Sequence, residues 1–275
     1  MVLKVASKFV SSLLVLTLSS AIVTLVLSQT VFSSQYLEGK LAETDSYVKL
    51  STALSQEAAK SSALPIPNAD QLIQGVVTPD VVKTKLDSAL EQFQAYYQGK
   101  GPAPVLDLSD IANQAQALGV PIGDNTELSK PIQLTPAGTS RKPGQAFNNI
   151  RQYTFILSAV LLLVLVLICW KRHNYKPLPN VLISVGILLG IWAVFFSFTP
   201  GLLDRILKNS VDSNAFAAIF QGLAETIAHD LGKRYGIIAL ISLGVGIVVH
   251  VLLSRINKEN SLSNNSGPAR SNVIS

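Results

Sequence analysis

Four stretches of this 275-residue chain contain no Asp, Glu, Lys or Arg: Phe9 to Phe32, Gln152 to Trp170, Pro177 to Leu203 and Tyr235 to Ser254. Each is long enough for the ~20 mostly apolar residues that carry a helix across ~30 Å of hydrocarbon. A charged side chain at the centre of such a helix costs ~2.5–3.5 kcal/mol, so gaps of this length in the charge pattern mark membrane spans. The run from Phe155 to Trp170 is the clearest of them. Composition agrees. Apolar residues are an ordinary 48%, but charged residues are 14%, against ~25% in soluble domains. These figures exclude a disordered, nucleic-acid-binding or disulfide-scaffold chain and speak against an ordinary soluble enzyme.

Basic residues near the span ends set the orientation. With the N-terminus in the cytoplasm, segments 1–8, 171–176 and 255–275 hold eight of the 22 basic residues (Lys4, Lys8, Lys171, Arg172, Lys176, Arg255, Lys258 and Arg270) and one of the 17 acids, Glu259. That face carries +7 and the opposite face −2, so the whole net charge of +5 is a topology signal. The same positive face suits anionic lipid headgroups. The expected order is a cytoplasmic N-terminus (1–8), transmembrane helix 1 (9–32), an extracytoplasmic helical domain (33–151), helix 2 (152–170), a basic cytoplasmic turn (171–176), helix 3 (177–200), extracytoplasmic amphipathic helices (201–234), helix 4 (235–254) and a disordered cytoplasmic tail (255–275). The apolar run Phe9 to Leu27 exceeds the ~7–15 residues of a signal-peptide core, so helix 1 is expected to stay as an anchor. Cleavage near Val26-Leu27-Ser28 is the alternative; no Cys follows that would make a lipoprotein.

Between the first two spans, residues 36–60 read as one helix with Leu37, Leu41, Val48 and Ala58 among its apolar positions, extending helix 1 outward as a rod. Ala63 to Asn68, with two prolines, breaks it. A second helix starts at Thr78-Pro79-Asp80, which supplies a cap, a first-turn proline and an acid at the positive end of the dipole. Its face Val82, Leu86, Leu90, Phe93 and Tyr97 packs on the 36–60 helix, and Gly99 stops it. Val105 to Leu108 and Ile132 to Leu134 alternate over lengths that suit two short strands, with a short helix from Asp110 to Leu118 between them, capped by Ser109 or Asp110. Residues 135–146 read as a loop, and Phe147 to Gln152 leads helically into the second span. Residues 201–234 read as two amphipathic helices broken near Asn209 to Asn214, lying in the membrane interface or packed under the outer domain.

Chemistry-bearing motifs are sparse. No GxSxG, P-loop or GxGxxG occurs, and the spans hold no carboxylate of the kind that couples ions to transport. Glu225 and His229 share a helix face and are the one pair resembling a metal or acid–base site, but zinc needs three or four ligands and no third is close in sequence. A surface hydrogen bond or ion pair is the plainer reading. His250, inside the fourth gap, is a functional candidate by its position in the membrane, with headgroup contact the plainer role. His173 belongs to the basic turn. Cys169 stands alone, so no disulfide staples the chain; it reads as an apolar residue facing lipid, with palmitoylation the alternative. Gly186 and Gly190, and Ser242 and Gly246, give small-xxx-small spacings that let helices approach closely, within the four-helix set or between two copies.

The run Thr78-Pro-Asp-Val-Val, then Leu86, Leu90, Phe93, Tyr97, Gly99-Lys and Val105-Leu-Asp-Leu108, within this order of spans, resembles a group of uncharacterised bacterial four-span integral membrane proteins with an extracytoplasmic helical domain. The resemblance implies a bacterial inner membrane and no particular activity. The fold expected is an all-α membrane protein: four transmembrane helices and a mostly helical extracytoplasmic domain with room for two short strands. The function expected is that of a non-enzymatic, multi-pass cell-membrane protein, both termini cytoplasmic, structural or sensing a partner or ligand through its outer domain. No cofactor and no nucleic acid is expected; the lipid bilayer, an envelope or membrane protein and a second copy of the chain are the expected partners. A small transporter or channel subunit using Ser158, Ser184, Ser197 and His250 is the alternative, and a membrane-bound hydrolase using Glu225 and His229 comes third.

Overall fold

The computed structural model describes residues 2–61, 69–119, 131–133, 143–210 and 215–265. These residues form α1 (Val2–Gln29), α2 (Ser34–Glu43), α3 (Ser46–Ser61), α4 (Ala69–Val76), α5 (Pro79–Tyr97), β1 (Val105–Leu106), α6 (Ser109–Ala117), β2 (Ile132–Gln133), α7 (Pro143–Arg172), α8 (Pro177–Ser210) and α9 (Ala215–Asn265). Four helices contain segments long and apolar enough to cross a membrane: Leu3–Gln29, Ala146–Arg172, Pro177–Thr199 and Gln221–Ile256. The protein is therefore an all-α, multi-pass membrane protein. The chain divides into two compact units, one of residues 1–22, 153–193 and 234–275, the other of residues 23–152 and 194–233.

In the first unit α7, α8 and α9 each bury one narrow stripe. On α7 this is Leu161, Leu165 and Cys169; on α8 it is Val181, Val185, Leu189 and Ala193; on α9 it includes Tyr235 and Ala239. Intervals of four keep a stripe on one helix face. Outward residues such as Leu163 and Leu240, 61% and 71% exposed, would be a liability in water and suit hydrocarbon. Cys169 is a correction to the sequence reading. It is 1% exposed and does not face lipid, because its spacing from Leu161 and Leu165 puts it on the inward stripe. His173 ends α7 in the left-handed region, φ 49°. Its N–H donates to Trp170 O at 3.1 Å and the Asn174 N–H to Cys169 O at 3.1 Å, which satisfies two terminal carbonyls in a Schellman pattern.

The second unit has its own apolar core, contributed by α2 to α6 and β1. The expected single helix over 36–60 is two helices, α2 and α3, separated at Thr44 and Asp45, with Asp45 at φ 53°. Nor does α1 run on as a rod, since it ends at Gln29 and a turn follows, in which Phe32 N–H donates to Leu27 O at 3.1 Å. The reason for the α2–α3 break lies in the spacing of the core residues. Leu41 and Leu50 would lie on opposite faces of one straight helix, about 100° per residue apart. Breaking the helix between them lets both enter the core with Leu54 and Ala58. It also turns Val48 outward, 52% exposed.

Helix α5 matches the sequence closely. Thr78 accepts the Val81 N–H on its side chain, Pro79 and Asp80 fill the first turn, and Val82 and Leu86 are buried. Gly99, φ 74°, closes the C-terminus as Gly99 N–H reaches Tyr96 O and Lys100 N–H reaches Ala95 O, both at 2.9 Å. α5 packs on α2 and α3 as expected, but Ala89 and Tyr96 are buried with Val82 and Leu86, while Phe93 and Tyr97 of the expected face stand against Phe32, ahead of α2. β1 and β2 pair antiparallel, Val105 with Gln133 and Leu106 with Ile132. The cap of α6 differs from expectation. Leu108 occupies the cap position, and the Asp107 carboxylate accepts the Ser109 N–H at 3.0 Å. Hydrogen bonding to that N–H and to the Ser109 side chain holds Asp107 below the usual carboxyl range.

Around the last two spans, helix replaces expected breaks. α8 continues through Pro200 to Ser210, and α9 runs unbroken from Ala215, so the amphipathic helices of 201–234 are continuations of the spans. Proline is tolerated in spanning helices where side chains and local adjustments satisfy the freed backbone. α7 already begins at Pro143, inside the expected loop, and α9 is still helical from Lys258 to Asn265, in the expected disordered tail. Ala63 to Pro67, residues 211–214 and residues 266–275 lie outside the described residues.

Candidate functional site

Three helices meet around the α2–α3 break. A groove of about 840 Å³ is lined by Glu43, Asp45, Ser46, Val48, Lys49 and Thr52, and by Gly222, Leu223 and Thr226 of α9. Leu223 also packs against the core, which ties the start of α9 to α3 within the same unit. The groove wall is fixed by local hydrogen bonds. Lys49 Nζ donates to Thr44 O at 2.8 Å, and the hydroxyls of Thr44 and Ser46 lie 2.6 Å apart. A non-glycine residue in the left-handed region, as Asp45 is, costs of order 1–3 kcal/mol and persists where its surroundings over-determine it. The result is a carboxylate-bearing rim, from Glu43 and Asp45, beside an outward apolar side chain, Val48.

Behind the groove, α3 and α5 share a polar bridge. Tyr47 OH donates to Asp87 Oδ1 at 2.7 Å, Lys83 pairs with Asp87 Oδ2, and the Lys83 ammonium stands 5.5 Å from the Tyr47 ring centroid. Burial and the adjoining Asp87 push the Tyr47 phenol well above its ordinary value, so it stays a neutral donor. Hydrogen bonding to Asp87 raises Lys83, keeping it cationic. Burial, then Asp87, pushes the Glu38 carboxyl up, with Glu91 adding to the rise and Lys83 and the Ser34 hydroxyl opposing it. A phenol so hard to ionise is a poor general base, and the arrangement clamps α3 and α5 together.

The residues singled out in the sequence lie elsewhere. Glu225 Oε1 accepts Gln221 Nε2 at 3.2 Å and His229 is exposed; its neighbour Asp230 accepts Tyr36 OH at 2.7 Å. Among the described residues, no three His, Cys, Asp or Glu side chains are placed to hold a metal ion. His250 is exposed on α9, as are Ser184 and Ser197 on α8, while Ser158 donates to Thr154 O at 2.6 Å in its own helix. The small residues divide. A Cβ on Gly186 would stand 2.7 Å from Leu243 Cγ and 3.0 Å from Ala239 O; one on Gly246 would stand 2.8 Å from Ile183 Cγ1. A Cβ on Gly190 would meet no heavy atom within 4 Å. The close α8–α9 crossing thus rests on Gly186 and Gly246. No family model, curated protein or solved structure matches the chain.

Sequence reasoning missed Asp45 and its groove. The available signal was Thr44-Asp45-Ser46, three residue types that favour helix ends, placed inside an otherwise helical run.

Proposed function

We propose that the protein is a non-enzymatic cell-membrane protein that displays its helical unit on the outer face and binds an envelope or membrane protein there. The observation that carries this reading is the groove at the α2–α3 break, where a strained backbone holds an outward valine beside two carboxylates. An apolar contact ringed by charge is the usual anatomy of a protein-binding patch. With the N-terminus cytoplasmic, the net positive charge lies inside and the groove lies outside.

Photo-crosslinking in native membranes tests this. A crosslinking amino acid at Val48 is expected to give a discrete adduct, and the same residue at Gln116, exposed on α6, is expected to give none. An adduct of twice the chain mass identifies a second copy as the occupant. Equal or absent adducts at both positions contradict the proposal.

A further inference from the structure

In the first unit, the start of α1, the turn after α7 and the start of α8 line an open cavity of about 400 Å³. Four cationic side chains line it, Lys4, Lys8, Arg172 and Lys176, together with Ser11 and Asn180, and no Asp or Glu does. Arg172 is held in place by a bond from Nη1 to Leu3 O at 3.4 Å, and Ser11 Oγ donates to Ser7 O at 2.7 Å. Among the described residues, no ion pair joins any of these four cations to a carboxylate. Like charges gathered at one cavity repel, and their cheapest relief is an anion that several can contact at once. Guanidinium and ammonium groups offer donors that match phosphate oxygens.

We infer that this cavity binds a phosphate group. Its surroundings favour the headgroup of an anionic phospholipid as the source. Beside it on α1, Val5 and Phe9 are 62% and 69% exposed, and Trp170 on α7 is 64% exposed. Acyl chains can lie along these apolar side chains while the phosphate enters the cavity. Basic pockets between spanning helices near the cytoplasmic surface take anionic headgroups in this way. The site lies in a different unit from the groove and does not depend on what binds there.

The test uses the full-length protein in zwitterionic detergent, titrated separately with cardiolipin, phosphatidylcholine and inorganic phosphate while thermal unfolding is followed. Cardiolipin is expected to raise the midpoint in a saturable way and phosphatidylcholine is not. Lys4→Gln with Lys8→Gln, both exposed and at the helix start, is expected to weaken the apparent affinity at least tenfold. Lys171→Gln with Arg255→Gln removes the same charge outside the cavity and is expected to leave it unchanged. A response to inorganic phosphate and none to cardiolipin keeps the phosphate site and moves its source to a soluble anion. No response to either ligand, or equal losses in the two double variants, overturns the proposal.

Discussion

The Tyr36 hydroxyl donates to Asp230 Oδ2 at 2.7 Å, joining residues 194 positions apart. The bond fastens α2 to the beginning of the last helix, and the Ser34 N–H, 2.8 Å from Gln94 Oε1, fastens the same end of α2 to α5. Phe32 completes the anchorage by stacking on Tyr97 at 4.3 Å between ring centroids and packing on Phe147 at 4.6 Å. Tyr36→Phe keeps the ring and removes the donor. Bonds to charged acceptors are worth ~1.5–3 kcal/mol, and this one is partly exposed, so a loss near ~1 kcal/mol is expected. Limited proteolysis of the purified protein should cut α2 faster in the variant; an unchanged rate would remove this bond from the account.

Gly186 and Gly190 are one turn apart and predict opposite outcomes. Gly186→Ala drives a methyl into Leu243 and the Ala239 carbonyl, and overpacking of this kind costs ~1–3 kcal/mol. Gly190→Ala enters open space and gains helix propensity, worth up to ~1 kcal/mol. Thermal unfolding in detergent should fall for the first and hold or rise for the second. Equal shifts would mean that the α8–α9 crossing is not set by Gly186.

The contrast between these two glycines illustrates what the sequence carried. Spacing marked both as small residues on one helix face, but which of them meets a neighbour depends on the crossing point of α8 and α9, a tertiary property. The spans were readable because a missing charge is a local fact. So was α5, whose cap, first-turn proline and terminal glycine lie within a few residues of the ends they define. The α2–α3 break was not readable from periodicity, since Leu41 and Val48 hold helical phase across it; only the demand that Leu41 and Leu50 enter one core turns the chain at Asp45. The groove exists because of that turn, and it was hidden for the same reason.

Glu38 gives the second unit a pH dependence of predictable sign. Its carboxyl is raised above the ordinary 4.5 by desolvation first and by Asp87 second. The folded state therefore holds this proton more tightly than the unfolded chain does. The stabilisation is fully present below the ordinary value and is lost as pH rises through the raised one. Glu38→Gln should make the protein more stable at neutral pH, by no more than ~0.5 kcal/mol for a group only partly buried, with the gain vanishing in acid. Unfolding followed as a function of pH checks this, and a gain that grows toward acid pH would reverse the sign.

His173 carries a left-handed backbone that glycine adopts without cost. His173→Gly should stabilise the turn between α7 and α8 by ~0.5–1 kcal/mol, and His173→Val should destabilise it by more than ~1 kcal/mol. Thermal unfolding of the two variants should bracket the parent. Destabilisation by glycine would show that the imidazole itself is needed there.

The central claim, that the helical unit stands on one side of the membrane and the basic turn on the other, is tested most directly by cysteine labelling in intact cells. The chain has one cysteine, so Cys169→Ser supplies a silent background. Into it go Asn113→Cys, at an exposed position of α6, and, separately, Lys171→Cys, at the exposed end of α7. A membrane-impermeant maleimide is expected to label position 113 in intact cells and position 171 only after permeabilisation. Labelling of both from outside, or of neither until the membrane is opened, would contradict the account.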